Sequence, residues 1–200
     1  APRSPFLAVK KVEPGEWLLV RQGRVKSKNY FYDIPYGRNS QSQQEQSENE
    51  IAEQLREKLR SAVKRQLISD VPVGAFLSGG LDSTSVVALM KDVEPSTPFR
   101  CFTIGHENKD RIEKNDLYYA KEVAAKLQLP LEIVEVTPQD FSYLEKVIFH
   151  LDEPQADPSA INTLLISKKA REMGIKVLNS GAGGDDIFSG YPRQIGRAHV

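Results

Sequence analysis

The stretch formed by Phe76, Leu77, Ser78, Gly79, Gly80, Leu81, Asp82, Ser83 and Thr84 sets two adjacent glycines among hydroxyls and one acid, directly after an apolar run. Gly79 and Gly80 let the backbone approach a ligand with no Cβ in the way. A helix beginning just after them would aim its free N–H groups and the positive end of its dipole at the same spot, which attracts an anion. Ser78, Ser83 and Thr84 add hydroxyl donors there. Asp82 would repel a phosphate unless a cation lay between them, so it is a candidate Mg²⁺ ligand. No Gly-Lys-Ser/Thr follows, so this is not the P-loop pattern. The plain alternative is a glycine-rich strand-to-helix turn with an ordinary cap.

A second such place follows about a hundred residues later: Asn179, Ser180, Gly181, Ala182, Gly183, Gly184, Asp185 and Asp186. A strand again runs into glycines, and acids open what reads as a helix. In a parallel sheet both loops lie at the carboxyl edge, where ligands bind, and Asp185 could then share a cation with Asp82. Two acids capping a helix are the alternative here.

The elements that must position these loops can be read from period. Ile51, Leu55, Leu59, Ala62, Val63 and Leu67 recur every three to four residues, giving an amphipathic helix from Glu48 onward. Val73 to Leu77 is a short apolar strand, and the helix after the loop buries Val86, Val87, Leu89 and Met90. Arg100 to Ile104, Leu131 to Val136 and Lys176 to Asn179 are further strands. Helices are expected over Asp116 to Leu127, up to Phe149, and near 160–173. Strand alternating with helix means a parallel sheet covered on both faces, an α/β doubly wound fold. Upstream, residues 16–33 alternate apolar and polar in two runs around Gln22-Gly23, a β-hairpin in which Trp17 reads as a packing residue. The Gln/Ser-rich stretch to Ser47 reads as a linker, with a domain boundary near residue 40.

Lys and Arg number 27 and so do Asp and Glu, which gives no electrostatic reason to expect nucleic acid or a membrane surface as partner. No apolar run approaches the roughly 20 residues that cross a bilayer. Cys101 is the single cysteine, so no internal disulfide forms and a reducing, cytoplasmic compartment fits. Its place in a strand makes it an apolar filler, not a nucleophile. His106 reads as solvent-facing in a polar loop and His150 as structural, while Asp152 and Glu153 read equally as caps of a turn or as the lining of an acceptor pocket. Residues 195–200 match translation of a common sequencing-adapter end, and the chain reads as a fragment open at both ends.

The first loop resembles the Ser-Gly-Gly-x-Asp-Ser loop of the ATP pyrophosphatases, the PP-loop, which holds the β,γ-pyrophosphate leaving ATP. Further motifs narrow the resemblance to the glutamine-hydrolysing asparagine synthetase family: His150-Leu151-Asp152-Glu153-Pro154, Ala156-Asp157-Pro158-Ser159-Ala160, and the Gly-Gly-Asp-Asp…Gly-Tyr run, in that order. Val12-Glu13-Pro14-Gly15-Glu16-Trp17 and Tyr30 to Asp33 look like the tail of the family's glutaminase domain. The resemblance covers nearly all of residues 1–194. It implies an adenine nucleotide alpha hydrolase-like, Rossmann-like synthetase domain over 48–194, preceded over 1–40 by a remnant of an Ntn-type glutaminase domain.

The implied activity is that of a carbon–nitrogen ligase. Aspartate is adenylated with ATP, pyrophosphate leaves, and glutamine-derived ammonia attacks the acyl carbon. The resemblance places Leu77 and Ile104 on the adenosine, with Ser78, Gly79, Gly80, Leu81, Asp82, Ser83 and Thr84 around the pyrophosphate. It places Ser180 and Gly181 near the adenylate and Mg²⁺ on Asp82 and Asp185, and counts Gly183, Gly184 and Asp185 with them as nucleotide-binding. The partners implied are small molecules (ATP, aspartate or another carboxylate, ammonia), and a homodimer is compatible with them. One departure stands out: well-studied members carry an acid where this chain has Ala182, and alanine cannot move a proton. A ligase acting on another acceptor carboxylate, in surface-polysaccharide or secondary metabolism, therefore remains open, as does a nucleotide-binding homologue without catalysis.

Overall fold

The computed structural model describes residues 3–33, 46–106, 116–151, 157, 159–188 and 190. Residues 37–45 of the expected linker, the Asp152-Glu153-Pro154 turn and the tail 195–200 lie outside them. The chain divides into two compact units, Ala1–Ile51 with Ile148–Gln155, and Ala52–Val147 with Ala156–Val200.

In the first unit, strands β1 (Glu16–Arg21) and β2 (Arg24–Tyr30) pair antiparallel, with Glu16 opposite Tyr30 and Arg21 opposite Arg24. Gln22 and Gly23 both have positive φ, 51° and 70°. A two-residue turn left-handed at both positions matches the natural twist of the strands, which is why this pair closes the hairpin. The expectation that Trp17 packs is corrected: among the described residues it is 41% exposed, and Leu18, Leu19 and Val20 are exposed with it.

Helix α1 (Glu48–Gln66) starts on a reciprocal cap. The Glu50 N–H donates to Ser47 Oγ at 3.3 Å, and the Glu50 carboxylate accepts from the Ser47 N–H at 2.8 Å. That satisfies donors the helix start leaves orphaned, and the bonds from Ser47 hold the Glu50 carboxyl below its ordinary value. The apolar stripe is real, yet among its members only Val63 is buried; Leu55 and Leu59 remain 38% exposed each.

The second unit is a four-stranded sheet in the order β5-β4-β3-β6. These strands are β3 (Val73–Phe76), β4 (Cys101–His106), β5 (Leu131–Val136) and β6 (Val177–Asn179), and every pairing is parallel. Strand β4 runs past Ile104 to His106, which pairs with Val136 and so lies in the sheet, not in the loop its polar neighbours suggested. The connecting helices are α2 (Leu81–Val93), α3 (Asp116–Leu127), α4 (Leu144–Leu151, after a 3-10 turn over Pro138–Tyr143), α5 (Ser159–Glu172) and α6 (Gly184–Phe188).

Two apolar clusters cover the two faces. On one, Val63, Val87, Met90, Ala120 and Ala124 pack against Ala75, Leu77 and Cys101; on the other, Ile166 and Ala170 pack against Phe102. The alanines let α3 and α5 lie close to the sheet, and burying a ring such as Phe102 is worth about 1.5–3 kcal/mol. The chain steps outward from β3 to β4 to β5 and then returns to the far side of β3. The order of winding thus reverses between β3 and β6, and ligands of open α/β sheets bind outside the carboxyl ends at such a reversal.

Candidate functional site

Both glycine-rich loops leave the sheet at that reversal. Leu77 is fully buried, and its N–H donates to the Phe102 carbonyl at 2.9 Å, seating the first loop on β4. Gly79 has φ +86°, and a Cβ there would stand 2.6 Å from both the Ala120 nitrogen and the Asp116 oxygen. Only glycine serves, for backbone conformation and for packing against the first turn of α3. Gly80 differs: its φ is −69°, and a Cβ there would find only Ser78 Oγ, at 3.5 Å.

The loop is stitched by its own hydroxyls. Ser78 Oγ and Ser83 Oγ are 3.0 Å apart; Ser83 Oγ donates to the Gly80 carbonyl at 3.2 Å and accepts from the Ser78 N–H at 3.2 Å. The Gly80 N–H donates to Ser78 Oγ at 3.3 Å, and the Thr84 N–H to the Gly80 carbonyl at 3.0 Å. The N–H groups of Leu81, Asp82 and Ser83 open α2 and bond to nothing among the described residues. That is the donor array an anion meets at a helix start. Thr84 is placed otherwise than expected: its Oγ1 is sealed from solvent and has no partner among the described residues.

The second loop sits directly on the first. A Cβ on Gly181 would be 2.6 Å from the Ser83 nitrogen and 2.7 Å from the Asp82 carbonyl carbon, and a Cβ on Gly184 would coincide with the Asp82 carboxylate. Asp82 therefore lies against Gly181 and against Gly184, the first residue of α6. Ser180 Oγ accepts from the Ala182 N–H at 3.1 Å, and Gly183 takes φ +97°. Asp185 follows in the first turn of α6, against Gly190.

Two cavities receive the expected residues. Leu77, Ser78 and Ile104 line one of about 540 Å³, together with Phe76, Phe102 and Ile166. Leu81, Asp82, Ser180, Gly181, Ala182, Gly183 and Gly184 line another of about 460 Å³, whose remaining wall is largely apolar, Leu55, Leu59 and Phe188 among it. The first loop thus borders one cavity through Ser78 and the other through Leu81 and Asp82. Asp185 lines neither. The sequence reading missed Asp116 and Asn162, which both face the first cavity. Asp116 carried a signal, since it opens the helix that follows β4; Asn162, on α5, carried none.

Among the described residues no three His, Cys, Asp or Glu side chains group as a metal cage. Asp82 beside a bare glycine backbone suits a Mg²⁺ whose other oxygens come with a phosphate, because Mg²⁺ is commonly held by one or two carboxylates plus substrate. Cys101 is fully buried, and burial pushes its thiol up to about 12, so it holds no thiolate for catalysis.

No helix among the described residues is long and apolar enough to cross a membrane. The family model for asparagine synthase matches residues 54–199. The chain is 34% identical over 185 residues to asparagine synthetase [glutamine-hydrolyzing] 1 of Bacillus subtilis, covering 92% of this chain and 27% of that protein. It is 30% identical to asparagine synthetase B of Escherichia coli, covering 92% of this chain and 34% of the other. It is 29% identical to the amidase chyE of Penicillium rubens, covering 94% of this chain and 30% of the other. The chain thus spans about a third or less of the length of these relatives. With a matched region that takes in both glycine loops and the sheet between them, the chain belongs to the asparagine synthase family.

Proposed function

We propose that this chain carries the ATP-splitting half of a glutamine-dependent ligase, activating a carboxylate as its acyl-adenylate. The observation that carries the reading is the backbone contact of Gly181 with Asp82 and Ser83, which stacks one glycine loop on the other at the free N–H groups of α2. The Leu81, Asp82 and Ser83 amides and the Ser78–Ser83 hydroxyl pair take the β- and γ-phosphates. Leu77 and Ile104 border the nucleoside. The acceptor carboxylate attacks the α-phosphorus, the bond to pyrophosphate breaks, and ammonia then displaces AMP from the acyl carbon. Mg²⁺, held by Asp82 and Asp185, would offset the charge gathering on the leaving pyrophosphate. Residues 1–40 read as the end of the domain that supplies ammonia from glutamine.

Aspartate is the leading acceptor, from the relatives named asparagine synthetase. A second reading, an acceptor other than aspartate, is favoured by Ala182, which lines the cavity with Asp82 at the position where the resemblance leads one to expect an acid. The amidase relative fits that reading too. The test supplies the full-length protein with MgATP, aspartate and ammonium and follows AMP, pyrophosphate and asparagine together. Asparagine in step with pyrophosphate supports the first reading. Pyrophosphate that ignores aspartate but responds to another carboxylate supports the second. A protein that binds ATP and releases no pyrophosphate with any carboxylate refutes both.

A further inference from the structure

The cavity at the ends of β3 and β4 shares Ser78 with the phosphate-gripping loop, so a nucleotide held by that loop has its base within reach of the same space. Its walls suit a flat heteroaromatic ring: Phe76, Phe102, Ile104 and Ile166 are apolar. Into this lining α5 brings the Asn162 amide, half-buried and with no hydrogen bond among the described residues. A half-buried amide set in a mostly apolar lining has few protein groups to pair with, so a ligand entering the cavity can supply its partner. An asparagine amide offers one acceptor and a two-hydrogen donor side by side. Adenine presents the complement along one edge, the N7 acceptor next to the N6 amino donor, whereas guanine presents two acceptors there.

We propose that Asn162 selects the base of the nucleotide, its NH₂ donating to adenine N7 and its carbonyl oxygen accepting from the N6 amino group. The assignment rests on the proposed ATP-consuming function for the presence of a nucleotide, and it adds a residue that sets which one. Of the other polar side chains in this lining, Asp116 is acceptor-only when ionised and cannot donate to N7, and Ser78 and Thr103 each carry a single hydroxyl in place of a side-by-side donor and acceptor. A pair of hydrogen bonds to one base edge discriminates by about 10-fold or more. Guanine would leave the Asn162 oxygen facing O6.

The experiment titrates the full-length protein calorimetrically with ATP, 7-deaza-ATP and GTP, and measures pyrophosphate release with each. Wild type is expected to bind 7-deaza-ATP about 10-fold more weakly than ATP, and GTP more weakly still. Asn162→Asp, of the same shape but without the NH₂ donor, and Asn162→Leu should both bind ATP and 7-deaza-ATP alike. If wild type binds ATP and 7-deaza-ATP equally, or if both variants keep the wild-type preference, the assignment is overturned. Preference for N7 without pyrophosphate release would uphold Asn162 and overturn the adenylating function instead. Binding of none of the three nucleotides overturns both.

Discussion

Replacing Gly80 and Gly181 by alanine, one at a time, separates what the loops need in order to fold from what they need in order to bind. At Gly181 the new Cβ would stand 2.6 Å from the Ser83 nitrogen, against 3.4 Å for ordinary contact, so backbone at the start of α2 must retreat by the difference. Overpacking of this kind costs about 1–3 kcal/mol. A shift approaching 1 Å in positioned groups can cost about 100-fold in rate. Gly181→Ala should therefore lower both Tm and turnover. At Gly80 the backbone is already in an ordinary region, and the nearest atom is a serine hydroxyl at 3.5 Å. Losing glycine from the cap position costs roughly 0.5–1 kcal/mol, and the reduced freedom of the unfolded chain returns about 0.4–1 kcal/mol. Gly80→Ala should leave Tm nearly unchanged. Its methyl group would stand on the loop face proposed to receive phosphates, so ATP affinity should fall about 10-fold, a loss of about 1.4 kcal/mol. Scanning calorimetry and ATP titration of the full-length protein read both quantities. Wild-type ATP affinity in Gly80→Ala would refute a phosphate at this glycine, and a neutral Gly181→Ala would refute the contact between the loops.

Asp82→Asn should lower Mg²⁺-dependent pyrophosphate release at least about 100-fold, the scale for removing one group that stabilises transition-state charge, without moving Tm. Undiminished turnover would remove Asp82 from the metal site. Cys101 should resist thiol reagents in the folded protein and react at the rate of unfolding; fast modification at neutral pH would contradict its burial. Because the folded thiol is raised to about 12 from an ordinary 9.0, its contribution is complete below pH 9. Above that, the unfolded chain loses the proton first, and stability should decline toward pH 12. A Cys101→Ala variant should show a shallower alkaline decline in denaturant titrations. Phe102→Ala should cost about 3–5 kcal/mol, since the ring is fully buried between the sheet and α5; a loss under 1 kcal/mol would mean the cluster repacks.

Most of the fold was legible because period and punctuation agreed. Gln22-Gly23 could close only a tight turn, and the apolar runs ending at Ser78 and Ser180 could only be strands meeting glycines. The doubly wound sheet follows from strands alternating with helices, and its order put both loops at one edge. What the sequence hid depended on contacts between distant segments. The stripe of α1 and the indole of Trp17 carry the pattern of buried faces, yet the described residues leave Leu55, Leu59 and Trp17 exposed. Periodicity shows which face is apolar and not whether anything covers it. Thr84 shares the motif of Ser78 and Ser83, but the helix turns its hydroxyl inward, because a residue one position on lies about 100° round the helix. The expected residues divide between two cavities, because the first loop borders one through Ser78 and the other through Asp82. Asn162 escaped notice because nothing in its neighbourhood marks it; only the packing of α5 on β4 carries it to the cavity.

The measurement that tests the central claim most directly is the stoichiometry of ATP cleavage. The full-length protein would be given MgATP, ammonium and a panel of carboxylates that includes aspartate, and all phosphorus-containing products would be resolved. AMP and pyrophosphate in equal amounts, dependent on a carboxylate and lost in Asp82→Asn, are expected from paired loops that hold the leaving pyrophosphate. ADP and orthophosphate, or no cleavage with any carboxylate despite tight ATP binding, would contradict it.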